Sequence, residues 1–325
     1  MPSTSQIAVR LGTRWWESNS HELAKTDERS NGLVAYGCYL AAVAVVAVAM
    51  LANSSPCVAT PGDFAAGRLS TSMMAALRSL VTVAFLVVLI RRMVGTGTAD
   101  EETLDRRPIK MTSHGHWRVH GLTQWQFVII ILYFGMSALL TIHATSLDDS
   151  DASQAWLATP SRLSCVAETT LGVAFALALL TTVIVTFVLI PGKHKNGTSC
   201  VHFFGFGELV MHNANTLLLV IDLLGGSLSI RLAAFPYVLL IGVAYVSFHH
   251  FIRYPRTRTL LYFFLSWQHP KALPILLALL AAIGCFYLVG TLITESLRPT
   301  AWGPPLTLLA TCALMQIRNP RPDLP

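Results

Sequence analysis

Charge is scarce in this chain of 325 residues: Asp, Glu, Lys and Arg make up 12% of it, against 53% hydrophobic residues. Soluble domains carry about 25% charged residues. The shortfall excludes an ordinary soluble globule and points to an all-α, polytopic membrane bundle. Familiar catalytic signatures are also missing. There is no GxSxG elbow, Walker A loop, Rossmann fingerprint or HExxH pair, and the HxxHH spacing of membrane di-iron enzymes does not occur. The six cysteines form no CxxC pair, which excludes a structural zinc motif. No repeat at a fixed period is visible. The first 32 residues hold no apolar core, so a cleavable signal peptide is not expected and the first apolar run reads as a retained signal anchor.

Long hydrophobic runs, by contrast, are plentiful. Seven stretches can cross a ~30 Å hydrocarbon core as helices: residues 33–52, 73–94, 125–143, 165–190, 203–226, 233–252 and 272–295. Residues 1–32 form a polar tail, 33–295 the bundle and 296–325 a C-terminal tail. Within that tail, 306–317 is short, comes after Gly303-Pro304-Pro305, and reads as a surface-lying or re-entrant segment. Counting Arg91 and Arg92 with the loop after them, alternate loops and tails collect sixteen Lys and Arg on one side and six on the other. Basic loops stay inside, which predicts a cytoplasmic N-terminus in the endoplasmic reticulum or plasma membrane. The net charge of +6 then faces anionic lipid. The basic loop 91–110 is interrupted by Asp100-Glu101-Glu102 and lacks interleaved aromatics, so no nucleic-acid partner is expected.

The fifth stretch is unusual because it carries Glu208, His212, Asn215 and Asp222. At 3.6 residues per turn these fall on one face and form a polar stripe. An ionisable group in the bilayer centre costs ~2.5–3.5 kcal/mol on insertion scales, so such groups turn inward and mark sites. Polar groups also glue membrane helices together, and composition leaves the two readings level. Arg78 in the second stretch and Glu168 in the fourth sit near the same outer level as Asp222, and the three are expected to form a structural ion cluster. Thr82, Thr182 and Ser247 lie at a depth similar to His212, each in a different stretch. An imidazole can activate a hydroxyl ~2.6–3.2 Å away. Mid-helix Ser and Thr more often bond their own backbone.

Ten of the eleven histidines fall on the cytoplasmic side or, as His212, in the inner half of a stretch. Interfacial placement explains them better than metal binding, so neither a metal nor a cofactor is expected. Cys57 and Cys165 fall on the non-cytoplasmic side, where a disulfide is chemically allowed. The sequon Asn53-Ser54-Ser55 abuts the membrane, and Asn196-Gly197-Thr198 is expected to be cytoplasmic and inert.

Several elements in order resemble a known family. His212-Asn213-Ala214-Asn215 and then Asp222, Thr123-Gln124-Trp125-Gln126-Phe127 leading to Tyr133-Phe134, Pro236-Tyr237 with Tyr245, and Tyr262-Phe263-Phe264-Leu265-Ser266-Trp267 are similar to elements of the androgen-induced and androgen-dependent integral membrane hydrolases. The rolling stone-like branch is the closer match, over roughly residues 73–295. The resemblance implies a six-helix core with the first stretch additional, and membrane lipid as partner. It further implies hydrolysis of fatty acid esters of hydroxy fatty acids by an intramembrane Thr and His. The His matches His212 and the acid after it Asp222, with Asn215 on the same face. The Thr matches Ile129, which has no nucleophile, and Thr123 lies six residues earlier. Three functions stay open: a lipid ester hydrolase with His212 as base, a non-enzymatic protein of cell-surface interaction or fusion, and a small-solute or proton pathway along the stripe.

Overall fold

The computed structural model describes residues 31–54, 57–103, 108–147, 150–195, 197, 199–269 and 271–319. Most of the 1–32 tail, Ser55, Asn196, Thr198 and the chain from Pro320 onward lie outside the described residues, so both sequons do so in part. The principal elements are α1 Asn31–Ala52, α2 Pro61–Ala65, α3 Thr71–Val94, β1 Thr96–Glu102, β2 Pro108–His114, α4 Leu122–Thr145, α5 Asp151–Ala158, α6 Arg162–Ile184, α7 Asn215–Gly225, α8 Phe235–Ser247, α9 Ala272–Leu292 and α10 Gly303–Leu314.

Five helical stretches among the described residues are long and apolar enough to cross a membrane: Thr71–Val94, Leu122–Thr145, Asp151–Lys195, Leu232–Thr257 and Ala272–Leu297. They are compatible with a multi-pass membrane protein. Two of the seven stretches expected from sequence are not among them. The apolar run Tyr36–Ala52 is shorter. The stretch around α7 is diluted by its own polar residues, Glu208, His212, Asn213, Asn215 and Asp222. α10 is 12 residues long, about 18 Å at 1.5 Å per residue, and falls short of a ~30 Å core.

Chain contacts divide the molecule into two units. The first draws on residues 1–48, 97–113 and 239–280. Its core gathers Tyr36, Leu40, Val246, Tyr254, Leu260, Leu265, Ala272 and Leu276. The Tyr36 hydroxyl donates to the Phe264 carbonyl. The ring nitrogens of His250 reach the carbonyls of Val246 at 3.0 Å and Leu265 at 2.8 Å. The sequence reads as a polar connection over residues 95–124. Instead β1 and β2 pair as a two-stranded sheet, and Glu101 takes two 2.6 Å hydrogen bonds from Arg253. Thr259 donates to the same carboxylate. Both charged partners are buried, and each charge has its counterpart in place, as a buried ion requires.

The second unit comprises residues 49–96, 114–238 and 281–325. α6 is its spine: every side chain from Leu171 to Thr182 is buried, as befits a helix apolar on all sides. α4 packs against both α3 and α6. α3 buries Met74, Arg78, Val81 and Phe85, while α4 buries Phe127, Ile130, Phe134, Ala138 and Thr141. Both series keep the three-and-four spacing of one helix face. The opposite face of α3 exposes Met73, Leu80, Val83, Val87, Ile90 and Val94. A continuous apolar stripe of that kind is unusual on a water-facing helix and ordinary on one facing lipid. Cys57 and Cys165 are joined by a disulfide, with Cα atoms 5.7 Å apart. At Gly67, φ is +150° and an added Cβ would stand 2.3 Å from the Gly225 carbonyl oxygen, so only glycine fits where Gly67 pairs with Gly226.

Candidate functional site

The polar stripe does not survive as one continuous array. Residues Phe206–Leu209 and α7 are joined by a wide turn at Val210–Ala214, where hydrogen bonds skip five residues rather than four. One extra residue rotates α7 by about 100° relative to its place in a regular helix. Glu208 and His212 therefore belong to one cluster, and Asp222 to another.

In the first cluster His212 is buried, and its Nε2 lies 3.0 Å from Glu208 Oε2. The other Glu208 oxygen accepts from the Arg92 guanidinium. His212 Nδ1 is buried and has no hydrogen-bond partner among the described residues. The chain Arg92–Glu208–His212 thus fixes the ring through one nitrogen and leaves the other unpaired. Such turns recur at functional positions in helices.

The wide turn also explains Thr182. Its hydroxyl donates to the backbone carbonyl of His212 and sits 2.8 Å from Thr216 Oγ1. The hydroxyl therefore serves the backbone of His212, not its imidazole. Thr82 donates to the Arg78 carbonyl at 2.7 Å, Ser247 ends α8, and Thr123 opens the first turn of α4. Among the described residues no hydroxyl is hydrogen-bonded to the His212 ring. Asn215 is fully buried, and its amide bonds the Met211 carbonyl and Thr216, so it makes no contact of this kind with His212 either.

Sequence reasoning passed over Gln126. It is fully buried, and neither of its amide atoms has a hydrogen-bond partner among the described residues. α4, which carries it, packs against the Val210–Ala214 turn that carries His212. A buried, unpaired amide is costly, by roughly 1–3 kcal/mol. Glutamine beside Trp125 in an apolar stretch was the available signal.

The second cluster centres on Arg78, which is fully buried. Its Nε donates to Asp222 Oδ1 at 2.7 Å and its Nη2 to Oδ2 at 3.3 Å. Nη1 donates to the Phe64 carbonyl at 2.7 Å and to Thr141 Oγ1 at 2.6 Å. Tyr133 donates its hydroxyl to Asp222 Oδ2. Every element of the pair is satisfied, as befits a structural tie of α3 to α7. Glu168 stands apart from it: its Oε2 lies 3.4 Å from Cys57 Sγ, and no hydrogen bond joins it to Arg78. The expected trio is a pair, because α6 presents Glu168 beside the disulfide instead.

A cavity of about 240 Å³ opens at the C-terminal end of α3. It is lined by Val88, Arg91, Arg92, Arg118, Phe206, Gly207 and Met211. Two of these, Gly207 and Met211, directly precede Glu208 and His212 in sequence. Asn215 does not line it. Arg118 Nη1 donates 2.7 Å to the Arg92 carbonyl, capping the end of α3. Partial burial, with the Arg92 guanidinium beside it, pushes the Arg118 pKa below the usual arginine value. Among the described residues, no group of three or more His, Cys, Asp or Glu is placed to hold a metal. No protein-family model, characterised protein or solved structure matches the chain.

Proposed function

We propose that the chain is a seven-span membrane protein with a cytoplasmic N-terminus, related to the rolling stone-like branch of the integral membrane hydrolases, that hydrolyses fatty acyl esters in the membrane. The observation carrying this reading is the Glu208-held imidazole of His212, whose buried Nδ1 is unpaired. A carboxylate on one ring nitrogen fixes the ring orientation and tautomer, and the opposite nitrogen then accepts a proton.

Ile129 stands at the family's threonine position, so water serves as the nucleophile. His212 Nδ1 takes a proton from water while the oxygen adds to the ester carbonyl carbon. Collapse of the tetrahedral adduct breaks the acyl C–O bond. The departing alkoxide recovers the proton, giving a fatty acid and an alcohol. Gln126, whose helix packs against the Val210–Ala214 turn and whose amide has no partner among the described residues, would donate an N–H to the developing oxyanion.

Full-length protein reconstituted in lipid vesicles should turn over a long-chain ester of a hydroxy fatty acid. Removing a general base typically costs about 10²–10⁴ in rate, so His212→Ala should lose turnover by that factor at near-normal yield. Absence of turnover by the wild-type protein sinks the enzymatic reading. Tags at the two ends should be accessible from opposite sides; tags on one side would overturn the seven-span count.

One observation favours a second reading, a non-enzymatic role in cell-surface interaction or fusion: the isoleucine at position 129. Conduction along the stripe has less support, since Asn215 is engaged with the Met211 carbonyl and the Thr216 backbone N–H.

A further inference from the structure

The lining of the cavity at the end of α3 includes three arginines and no acidic residue. Among the described residues one of the three forms a salt bridge, Arg92 with Glu208, whose carboxylate also attracts Arg118. Arg92 Nε is buried without a hydrogen-bond partner among the described residues. Arg118 is held in place by its bond to the Arg92 carbonyl, which brings a third positive charge to a spot that already has two. Against three positive charges the single Glu208 carboxylate leaves an excess that a bound anion would offset. The remaining walls, Val88, Phe206 and Met211, are apolar. At about 240 Å³ the space is smaller than the roughly 300–1,000 Å³ that encloses a whole drug-sized ligand. It suits one small headgroup.

We infer that this cavity binds a phosphate monoester through Arg91, Arg92 and Arg118, independently of any esterase activity. Planar guanidiniums make paired, charge-assisted hydrogen bonds to phosphate oxygens, a geometry that lysine cannot reproduce. Position favours a lipid as the source. The cavity lies at the end of a helix long and apolar enough to cross a membrane, where a headgroup phosphate would stand above its acyl chains. The exposed Phe206 and Val94 mark apolar surface beside it.

The test has two arms. In the first, full-length protein in phosphatidylcholine nanodiscs doped with dioleoyl phosphatidate is examined for retained phosphatidate by native mass spectrometry. In the second, protein in uncharged detergent is titrated with inorganic phosphate by calorimetry. Saturable binding of phosphatidate but not of inorganic phosphate supports the site with a lipid source. Binding of inorganic phosphate supports it with a soluble one. In either arm Arg91→Gln and Arg118→Gln should each weaken binding about tenfold, while Arg256→Gln, an exposed arginine of the first unit, should leave it unchanged. Arg91 is exposed, so Arg91→Gln keeps the test valid if loss of the Arg118 cap prevents folding. No saturable binding in either arm, wild-type binding by Arg91→Gln, or an equal loss in Arg256→Gln overturns the inference.

Discussion

Replacing Arg78 with methionine removes the side chain that ties α3 to α7. Methionine fills similar space, so the cost comes from polar groups left behind. Asp222 loses two charge-assisted bonds and keeps only Tyr133, while the Phe64 carbonyl and Thr141 lose a donor. Deleting one member of a buried pair costs ~3–5 kcal/mol, because its partner stays charged in a low-dielectric site. Asp222→Leu should cost a similar amount, stranding the guanidinium on Phe64 and Thr141. The informative variant is the double, Arg78→Met with Asp222→Leu. It strands neither charge, and replacing both partners of a buried pair with apolar residues is often nearly neutral. The double should therefore be more stable than either single. Equilibrium unfolding of the full-length protein in mixed detergent micelles closes the cycle, and the coupling should exceed the cost of either single change, that is, more than roughly 3–5 kcal/mol. Additive losses would show that Arg78 and Asp222 do not stabilise each other, and the structural account of the cluster would fall.

Two further outcomes are expected in the second unit. Cys57→Ser should lower Tm substantially, because the disulfide closes a loop of 108 residues and the chain-entropy model assigns about 4.7 kcal/mol to a loop near that size; an unchanged Tm under non-reducing conditions would count against the bond as a stabiliser. Thr182→Val keeps the shape but removes the donor to the His212 carbonyl, and should destabilise by roughly 1–3 kcal/mol; a neutral effect would refute the role given to that hydroxyl in the wide turn.

The features legible in the sequence are those that desolvation makes costly. A helix face of Met74, Val81 and Phe85 with Arg78 among them announces a buried cation in search of a carboxylate, and Asp222 supplies it. Tyr133, Thr141 and the Phe64 carbonyl gave no signal, since a hydroxyl or a carbonyl is ordinary until the fold aims it. The stripe was misread because a constant 3.6-residue period was assumed through Val210–Ala214, and a single wide turn breaks that period. Glu101 looked like one member of a solvated acidic run, with no Asn-Gly or Asp-Gly turn downstream to announce the hairpin. Its burial against Arg253 depends on pairing over some 150 positions of sequence, which no local pattern encodes. Arg118 was counted as one more basic loop residue. Only the fold places it beside Arg91 and Arg92.

The bond between Cys57 and Cys165 has a consequence of pure parity. A covalent link cannot thread a bilayer, so its two ends share a compartment, and the chain between them must cross an even number of times. α3 and α4 are the two helices of crossing length in that interval, and two satisfies the rule. Any arrangement in which one of them crosses while the other lies along the surface is forbidden by the sulfurs alone. A compartment that keeps the bond oxidised lies outside the cytosol. With both helices inserted, Gly95 at the end of α3 would stand on the face of the membrane opposite the disulfide.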